Sequence, residues 1–466
     1  MTTSSTTPQH DGLKVREYVG YALGDTASNF FFQTFNIFLI YYFVDVWGIP
    51  AGAIATMMLL TRLWDAINDP MMGLIADRTQ SRWGKFRPYL LWGAIPYGVC
   101  GYLLFAGPEL DANGKLIYAY VTYTLMLMAY TVINVPYSSL LGVISPSSRT
   151  RGVASSFRFV GAFAGGFLVS LLCRPLVKHL GGGNDVLGFQ YTIAIFAVAS
   201  VLMFWICFAM TRERVSPPPH QKSNVRAELG ELLRNRAWLM LLIATIFSTT
   251  FIALRQGSTI FYFKYVAGDD GSPILFGTLD RSTVFLATGM LGQILGTMTL
   301  GFVVRRVDKK KLAAVLSWIT GISFATFFAL PPDNYWLLVA VNAIGTFCMG
   351  PTSALTWAMY GDVADYGEWK FHRRSTALVY SASLFSIMTG IMIGGFLVPV
   401  FLGQFGFMSN MEQTATALLG ITLAFSVMPG LFAALKGVAL WIYPLDQGRV
   451  DEIERDLAAR RGAAAA

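Results

Sequence analysis

The chain has 466 residues, of which 54% are apolar and only 13% are charged, with a formal net charge of +8. Soluble domains carry about 25% charged residues, so this composition argues against a large soluble enzyme. A bilayer-spanning helix needs about 20 apolar residues, and the apolar runs supply roughly a dozen such helices. In a membrane protein a positive excess belongs to cytoplasmic loops, so the charge is no argument for a nucleic-acid partner.

Apolar runs recur along the whole chain and predict an all-α membrane protein. In chain order the predicted spans are 18–46, 52–77, 87–107, 117–143, 152–173, 188–210, 237–266, 281–304, 312–330, 335–360, 376–402 and 414–443. Every loop that leads from an even-numbered span to the next span is basic, whereas the other loops hold few cations. By the positive-inside rule we expect a multi-pass protein of the plasma (inner) membrane with both termini in the cytoplasm.

The longest loop between spans divides the chain into six spans and six spans. The predicted domains are a disordered cytoplasmic N-terminus, a six-helix bundle, a cytoplasmic loop ending as a short amphipathic helix, a second six-helix bundle and a cytoplasmic tail: 1–17, 18–210, 211–236, 237–443 and 444–466. "GLIADRTQSRWGKFR" follows the second span and "GFVVRRVDKKK" follows the eighth, and each has a glycine, a charged residue and then a basic cluster. This weak repeat indicates duplicated bundles, the plan of the major facilitator fold; chance similarity of two basic loops is the alternative.

The stretch "TRLWDAINDP" places three charges inside the second predicted span. On a helix, Arg62, Asp65 and Asp69 fall within about 60° of one another and form one polar ridge. Each charge at the bilayer centre costs about 2.5–3.5 kcal/mol, less when it is paired. Two acids against one base leave a surplus negative charge, Asn68 adds an amide oxygen, and Pro70 removes the helical partner of a carbonyl one turn earlier. These hard oxygen ligands predict a site for Na⁺ or a proton; the alternative is a structural ion pair between helices.

Other spans carry polar faces that would line the same cavity. They are Asp25, Asn29, Gln33 and Asn36 in the first; Tyr130, Thr131, Asn134, Tyr137 and Ser138 in the fourth; Arg158 in the fifth; Arg255 and Gln256 in the seventh; and Thr352, Ser353, Trp357 and Tyr360 in the tenth. Amides, hydroxyls and charged groups bond sugar hydroxyls while rings stack on the apolar face of a sugar, so the set suits a polyhydroxylated ligand. Taken singly, each serine or threonine is better explained as a contact between helices.

Arg255 lies deep in the seventh span, with no acid one helical turn away. If its side chain faces the cavity unpaired, it predicts a carboxylate on the substrate, because a guanidinium can bind a uronate through two parallel bonds. If it pairs with Asp25 of the first span, it predicts a latch with no part in selectivity. The sequence leaves both roles open.

Several quoted stretches carry a family resemblance. "RLWDAINDPMMGLIADRTQSRWGKFRPYL" resembles the signature of the glycoside–pentoside–hexuronide:cation symporters, the melibiose permease family, and "GDVADYGEWKFHRR" resembles its second signature. "GYALGDTASN" and "IYYFVDVWGI" of the first span are also similar to the family, and the resemblance covers residues from about 18 to 443. It implies a major facilitator fold with 12 transmembrane helices in two six-helix bundles, which moves a sugar together with a cation.

The resemblance also implies roles for individual residues. The family's Na⁺ site corresponds to Asp65, Asn68, Asp69 and Thr131, with the two aspartates as the charged metal ligands. Its sugar contacts carry over to Tyr130 and Arg158, and together with the polar faces they give the expected substrate-binding set: Asp25, Asn29, Tyr130, Asn134, Arg158, Arg255 and Trp357. Four positions depart from the family, since two sugar-binding aspartates, a stacking tryptophan and a lysine are matched by Asn29, Asn134, Ser138 and Met388. The resemblance therefore implies an intact cation site beside a remodelled sugar site.

From these patterns we expect a secondary transporter and not an enzyme, one that carries a glycoside, pentoside or hexuronide with Na⁺ or H⁺ by alternating access. Its expected partners are the sugar, the monovalent cation and the lipid bilayer, and it needs no cofactor besides the co-transported cation. A Na⁺-coupled lysolipid carrier on the same fold and a drug/proton antiporter are the alternative functions. An intramembrane enzyme is disfavoured because the four histidines all fall in loops or tails: His10, His179, His220 and His372.

The charged ends of the second and tenth spans predict a cytoplasmic gate. It would pair three basic residues with three acidic ones: Arg78, Arg82 and Lys85 with Asp362, Asp365 and Glu368. Such pairs would hold the inner side shut while the cavity faces outward. Control of topology alone is the alternative explanation of these charges.

Overall fold

The computed structural model describes residues 13–145, 148–214, 230, 232, 234–303, 307–371 and 376–465. Within these residues the chain is helical apart from short loops, and the β pairing described is an isolated bridge between Leu275 and Leu279. Most of the predicted central loop lies outside the described residues, and so does most of the amphipathic helix predicted at its end.

The helices follow one another in the predicted order. The first seven are α1 Val15–Thr34, α2 Ala51–Arg78, α3 Arg87–Trp92, α4 Ala94–Leu104, α5 Ala112–Val143, α6 Ser148–Gly181 and α7 Asp185–Met210. The helices described after the central loop are α8 Arg236–Phe261, α9 Arg281–Val303, α10 Lys309–Thr326, α11 Tyr335–Phe371, α12 Thr376–Gln404, α13 Ala415–Phe425, α14 Val427–Trp441 and α15 Gln447–Ala465. Short π-helical turns follow two of them: Phe35–Leu39 and Tyr42–Val46 after α1, and Tyr262–Val266 after α8.

Each predicted span coincides with one helix or with two consecutive helices, α3 with α4 and α13 with α14. Seven of the described helices are long and apolar enough to cross a membrane. The prediction was wrong at some ends, because α6 runs to Gly181 and α11 to Phe371, past the predicted ends of their spans. Charged residues such as Lys and Glu are good helix formers, so a helix continues where the hydropathy falls.

A proline sets the break between α13 and α14. Ser426 between them has φ −116° and ψ −77°, outside ordinary helical values. Pro429 has no N–H, so the carbonyl of Phe425, one turn earlier, has no helical donor. The break therefore leaves a carbonyl oxygen inside the bundle for a side chain of another helix.

By contact the described residues group into two compact units. The first takes those within 1–33, 67–169 and 177–219, and the second takes those within 34–66, 170–176 and 220–466. The units are defined by contact, whereas the predicted bundles, 18–210 and 237–443, are defined by chain order. The predicted bundle boundaries stay a prediction.

Equivalent glycine motifs bring helices together in both units. "GAFAGGF" of α6 begins at Gly161, and "GIMIGGF" of α12 begins at Gly390. Thr26 Oγ1 donates to the Gly161 carbonyl at 2.9 Å in the first unit, and Thr250 Oγ1 donates to the Gly390 carbonyl at 3.2 Å in the second. A Cβ at Gly161 or Gly390 would lie 2.4 or 2.5 Å from a carbonyl oxygen of the facing helix. This shared packing is stronger evidence of a duplicated bundle than the loop repeat.

The C-terminal helix α15 packs on the second unit. Its apolar residues Val450, Ile453 and Leu457 recur at helical spacing and are buried in one cluster with residues of α8 and α11. Trp369 of α11 donates its Nε1–H to Asp456 at 3.0 Å. The predicted cytoplasmic tail is therefore helical from Gln447 to Ala465.

Candidate functional site

The helix α2 continues through the charged stretch "TRLWDAINDP" and past Pro70. Its backbone places residues 65, 68 and 69 about one turn apart on one face. The charged side chains of the stretch lie outside the described residues: Arg62, Asp65 and Asp69. Asn68 is described, and its Nδ2 is buried without a hydrogen-bond partner in the described part of the chain. Thr131 of α5 is buried as well, so the predicted cation site stays a prediction with two of its four members placed.

An ion pair joins α1 to α6 in the first unit. Arg158 Nε donates to Asp25 Oδ2 at 3.2 Å, and Arg158 Nη2 lies 3.4 Å from Ser138 Oγ of α5. The guanidinium also lies 5.3 Å from the centre of the Tyr137 ring. The Asp25 side chain is 11% exposed and the Arg158 side chain 27% exposed. The Asp25 carboxylate is therefore mostly buried, whereas the Arg158 guanidinium is partly exposed.

The motif "GYALGDTASN" of α1 packs against α5 beside this pair. Tyr137 donates its hydroxyl hydrogen to the Tyr21 carbonyl at 2.6 Å. Gly24 makes this approach possible, because a Cβ there would lie 2.4 Å from the Tyr137 ring. One turn further along α1, Ser28 Oγ donates to Asn134 Oδ1 of α5 at 2.7 Å. The motif thus serves to bring the polar faces of α1 and α5 together.

The other predicted sugar-binding residues of α1 and α5 lie beside these contacts. Asn29 Nδ2 donates to the Asp25 carbonyl at 2.9 Å, and Asn134 Nδ2 donates to the Tyr130 carbonyl at 3.1 Å. The Tyr130 ring lies 6.4 Å from the Phe32 ring. The structure therefore places Asp25, Asn29, Tyr130, Asn134 and Arg158 within one unit, and their contact with a substrate stays a prediction.

Arg255 is 6% exposed, and its side chain enters an aromatic cage. Its guanidinium carbon lies 4.1, 4.2, 4.5 and 5.7 Å from the ring centres of Phe324, Phe425, Phe327 and Phe285 respectively. Its Nη1 donates to the Phe425 carbonyl at 2.8 Å, which is the carbonyl that Pro429 leaves free, and its Nη2 donates to Asn342 Oδ1 at 3.0 Å. Arg255 and Asp25 thus find partners inside their own units.

A small cavity lies beside this cage in the second unit. Its volume is about 50 Å³, enough for a few water molecules. Its polar lining includes Arg255, Gln256, Gln293, Asn342 and Thr346. The geometry favours a structural role for the Arg255 guanidinium over direct binding of a substrate carboxylate.

A second buried cation of the second unit, Lys436 in α14, was not among the residues predicted from the sequence. Its Nζ donates to Ser248 Oγ of α8 at 3.0 Å and to Thr352 Oγ1 of α11 at 2.9 Å. The signal was available, because Lys436 is the single charged residue in the apolar run 415–441, and ionisable residues within membrane spans are usually functional.

Trp357, the remaining predicted substrate contact, lies on α11. Its ring is 6.1 Å from that of Tyr360. The Tyr360 hydroxyl is 2.6 Å from Thr245 Oγ1 of α8. Tyr360 therefore joins α8 to α11, and a sugar contact by Trp357 stays a prediction.

Asp362 and Arg82, both predicted for the cytoplasmic gate, have contacts within their own units. Lys309 Nζ forms an ion pair with Asp362 Oδ2 at 3.1 Å, which joins α10 to α11. The Arg82 guanidinium lies 4.2 Å from the centre of the neighbouring Trp83 ring. The pairing predicted between Arg78, Arg82, Lys85 and Asp362, Asp365, Glu368 stays a prediction.

A carboxylate outside the residues predicted from the sequence, that of Glu213, holds the loop before α3. Glu213 accepts hydrogen bonds from the backbone N–H groups of Lys85, Phe86 and Arg87 at 2.8, 2.7 and 3.0 Å. Gly84 precedes them at φ +108°, and a Cβ there would lie 2.5 Å from the Glu213 carboxyl carbon. The glycine of the signature "RWGKFR" is therefore required both by its backbone angle and by this carboxylate.

Acidic residues near helix ends of the second unit also bind partners. Asp45 accepts from Lys264 Nζ and from the Tyr265 hydroxyl. Asp280 accepts from Arg174 Nε at 2.7 Å. Burial acts to raise the pKa of the Asp280 carboxyl, but the Arg174 charge and hydrogen bonds from Thr283 outweigh it, so the pKa lies below its ordinary value.

Comparison with known proteins agrees with this architecture. The family model described as MFS/sugar transport protein matches residues 20–447. The inner membrane symporter YicJ of Escherichia coli (strain K12) is 36% identical over 432 residues, which cover 91% of this chain and 91% of YicJ. The putative glycoside/cation symporter YagG of the same strain is 34% identical to this chain, and the match covers 97% of this chain and 96% of YagG. The glucuronide carrier protein homolog of that strain is 32% identical to this chain, and the match covers 95% of each of the two chains.

Solved structures support the fold. One from a study of substrate recognition in proton dependent oligopeptide transporters has a TM-score of 0.65 at 14% identity, and the match covers 95% of this chain and all of that one. A bacterial homolog of the human lysosomal transporter Spinster has a TM-score of 0.63 at 14% identity, with 92% and 95% of the two chains covered. The predicted major facilitator fold and the prediction of a transporter rather than an enzyme are confirmed. The chain is a multi-pass membrane transporter that belongs to the MFS/sugar transport protein family and, within it, to the glycoside–pentoside–hexuronide:cation symporters.

Proposed function

We propose that the protein carries a sugar, as a glycoside, pentoside or hexuronide, in symport with Na⁺ or H⁺. The observation that carries the proposal is the Asp25–Arg158 ion pair among the helices of the first unit. Ionisable groups within membrane helices are costly and mark substrate or ion pathways. The Arg158 side chain keeps more than a quarter of its surface exposed, so its remaining N–H donors can reach a ligand.

The groups beside this pair suit a sugar. Asn29 and Asn134 lie next to it on α1 and α5, and Tyr130 contributes a ring. Amides and a guanidinium bond hydroxyl groups, and a ring supports the apolar face of a pyranose. The names of relatives, which include a glycoside/cation symporter and a glucuronide carrier homolog, support the same substrate class.

For the cation we propose the site predicted on α2 and α5, formed by Asp65, Asn68, Asp69 and Thr131. The support is the helical spacing of residues 65, 68 and 69 on α2 and the burial of Thr131 on α5. Carboxylate, amide and hydroxyl oxygens are suitable ligands for Na⁺, and a carboxylate can alternatively take a proton.

Binding of the two solutes is coupled, so the cation raises the affinity for the sugar and the sugar raises the affinity for the cation by the same factor. One monovalent cation that moves down about 100 mV yields about 2.3 kcal/mol. A tenfold concentration gradient adds about 1.4 kcal/mol, so the total supports accumulation of roughly a few hundred-fold. Alternating access supplies the route, with both termini and the proposed gate at Asp362, Asp365 and Glu368 on the cytoplasmic side.

The test is uptake by proteoliposomes that contain the purified full chain. Labelled methyl β-D-glucoside, methyl β-D-xyloside and methyl β-D-glucuronide are offered with a Na⁺ gradient alone, a pH gradient alone, and neither. Accumulation of at least one of them under one gradient supports the proposal. Accumulation of a lysophospholipid instead, or uptake that only ever equilibrates, would contradict it.

A further inference from the structure

Lys436 is a lysine in the interior of a membrane bundle. It lies in α14 and is 1% exposed. Its neighbours along the chain, in "LFAALKGVALW", are all apolar or glycine. A buried ammonium loses its hydration and needs charged or multiple polar partners to compensate.

Lys436 differs in its partners from other buried or partly buried cations that the structure describes. Arg158, Arg174 and Lys264 each bond a carboxylate: Asp25, Asp280 and Asp45 respectively. Arg255 lies among four rings and bonds a backbone carbonyl. The two hydrogen-bond partners described for Lys436 are neutral hydroxyls, and one ring, that of Phe251, lies 5.8 Å from its Nζ.

The two hydroxyls are not equivalent. Thr352 Oγ1 donates its hydrogen to the Met349 carbonyl at 2.7 Å, so towards Lys436 it can only accept. Ser248 has no other acceptor among the described contacts, so its hydroxyl can turn. A charged ammonium can therefore donate to both hydroxyls, while a neutral amine can donate to Thr352 and accept from Ser248. Lys436 can therefore make two hydrogen bonds at this site in either protonation state.

We propose that Lys436 is a proton-binding site of the second unit, whose amine takes up one proton and releases it in each transport cycle. The step is R–NH₂ + H⁺ → R–NH₃⁺, with the proton taken from water on one side of the membrane and returned to water on the other. Lysine suits this role because it is a buried cation that can lose its proton, whereas an arginine cannot. The proposal deepens the proposed function and rests on it, since it makes H⁺ a coupling ion.

The elements packed against α14 carry several titratable or charged groups. α8 carries Arg236 and Arg255, and α10 carries Lys309, Lys310 and Lys311. α11 carries the remaining groups: Tyr335, Cys348, Tyr360, Asp362, Asp365, Tyr366, Glu368 and Lys370. α13 has none. None of these groups is among the described hydrogen-bond partners of Lys436. The nearest along the chain to its partner Thr352 is Cys348, one helical turn away.

The first experiment separates loss of a proton from loss of a charge. Lys436→Met removes the proton site, and Lys436→Arg keeps the charge but cannot release a proton. Lys311→Met makes the same change at an exposed lysine on α10 and is the matched control. Uptake of the three methyl glycosides is driven by an acid-outside pH gradient, and exchange at equal pH is measured beside it.

We expect the parent and Lys311→Met to accumulate substrate up to about tenfold for each pH unit. Both Lys436 variants should lose this accumulation and keep exchange. Full accumulation by Lys436→Arg would overturn the proposal and make the residue a structural charge. Accumulation by the parent with a Na⁺ gradient but not with a pH gradient would also overturn it and leave the symport intact. Accumulation under neither gradient would contradict the proposed function itself.

A second measurement does not depend on transport. The full chain is labelled with ¹⁵N at lysine Nζ, placed in lipid nanodiscs and followed by NMR as the pH is raised. We expect one resonance that changes from the charged to the neutral amine position within the pH range of transport and that is missing from Lys436→Met. A Lys436 resonance that stays charged over this range would overturn the proposal even if the variants fail to transport.

Discussion

The rings of Tyr41 and Phe261 pack edge to face in the second unit, with centres 5.8 Å apart and planes 74° apart. The two residues begin equivalent stretches, "YYFVDVWG" after α1 and "FYFKYVAG" after α8. Both stretches are π-helical and end at a glycine with positive φ, 77° at Gly48 and 63° at Gly268. A contact between equivalent residues is what a pseudo-twofold relation between two repeats produces.

The charges of this repeat are not symmetric. Asp45 occurs in the first copy and is matched by Tyr265, while Lys264 of the second copy is matched by Val44. Asp45 accepts hydrogen bonds from both Lys264 and Tyr265. The two equivalent stretches thus form an ion-paired contact through residues at which they differ.

Arg158→Lys is expected to weaken sugar binding although the charge is kept. The planar guanidinium donates to Asp25 through Nε and, at the same time, to Ser138 through Nη2, in two different directions. An ammonium cannot match that geometry. We expect a loss of about 1.5–3 kcal/mol, the range for hydrogen bonds to charged groups, measured by equilibrium binding.

The control for this substitution is Ser138→Ala, which keeps the ion pair and removes only the weaker contact. It should cost less than Arg158→Lys. Equal affinity of Arg158→Lys and the parent would make Arg158 a structural residue.

Asp65→Cys and Asp69→Cys are each expected to abolish accumulation driven by the cation, because each removes an anionic oxygen ligand. Binding of sugar in the absence of the cation should persist, since these acids are assigned to the ion. Uptake and equilibrium binding are measured for both variants. If both still concentrate sugar against a gradient, the assignment of the cation site is wrong.

Arg255→Gln is expected to impair transport of neutral and acidic glycosides alike. The substitution leaves the Phe425 carbonyl and Asn342 without their charged donor, and a buried unsatisfied group costs about 1–3 kcal/mol. The apparent melting temperature in detergent should fall together with uptake of methyl β-D-glucoside and methyl β-D-glucuronide. A loss confined to the glucuronide, with unchanged melting, would instead support a direct contact with the substrate carboxylate.

Glu213→Gln is expected to lower stability by about 1–3 kcal/mol. Glu213 uses both carboxylate oxygens to accept from three backbone N–H groups, and glutamine would place an NH₂ group where one oxygen stands. Gly84→Ala should have a similar effect, because its Cβ would meet the same carboxyl group.

The two changes disturb one contact, so their combination should cost less than the sum of the separate costs, as for residues in direct contact. Thermal unfolding in detergent measures this, with Glu452→Gln in the exposed part of α15 as the matched control. Strict additivity of the two losses would contradict a shared effect of Glu213 and Gly84 on the loop before α3.

Local sequence determined the helical segments. Runs of about 20 apolar residues can satisfy their backbone groups in lipid only as helices, so the order of the predicted spans agrees with α1 to α14. The signature stretches also identified the family, because residues such as Gly24 and Gly84 are fixed by close contacts that tolerate no side chain.

Only the tertiary structure decided which polar residues meet. Asp25 and Arg158 are 133 positions apart in the chain, and the Arg255 guanidinium finds the Phe425 carbonyl that Pro429 leaves free, 170 positions away. Helical periodicity places a residue on a face of its own helix but does not say which helix lies opposite. For that reason the sequence could name Arg255 as a buried cation, yet its aromatic cage and the hydroxyl partners of Lys436 depend on how the helices pack.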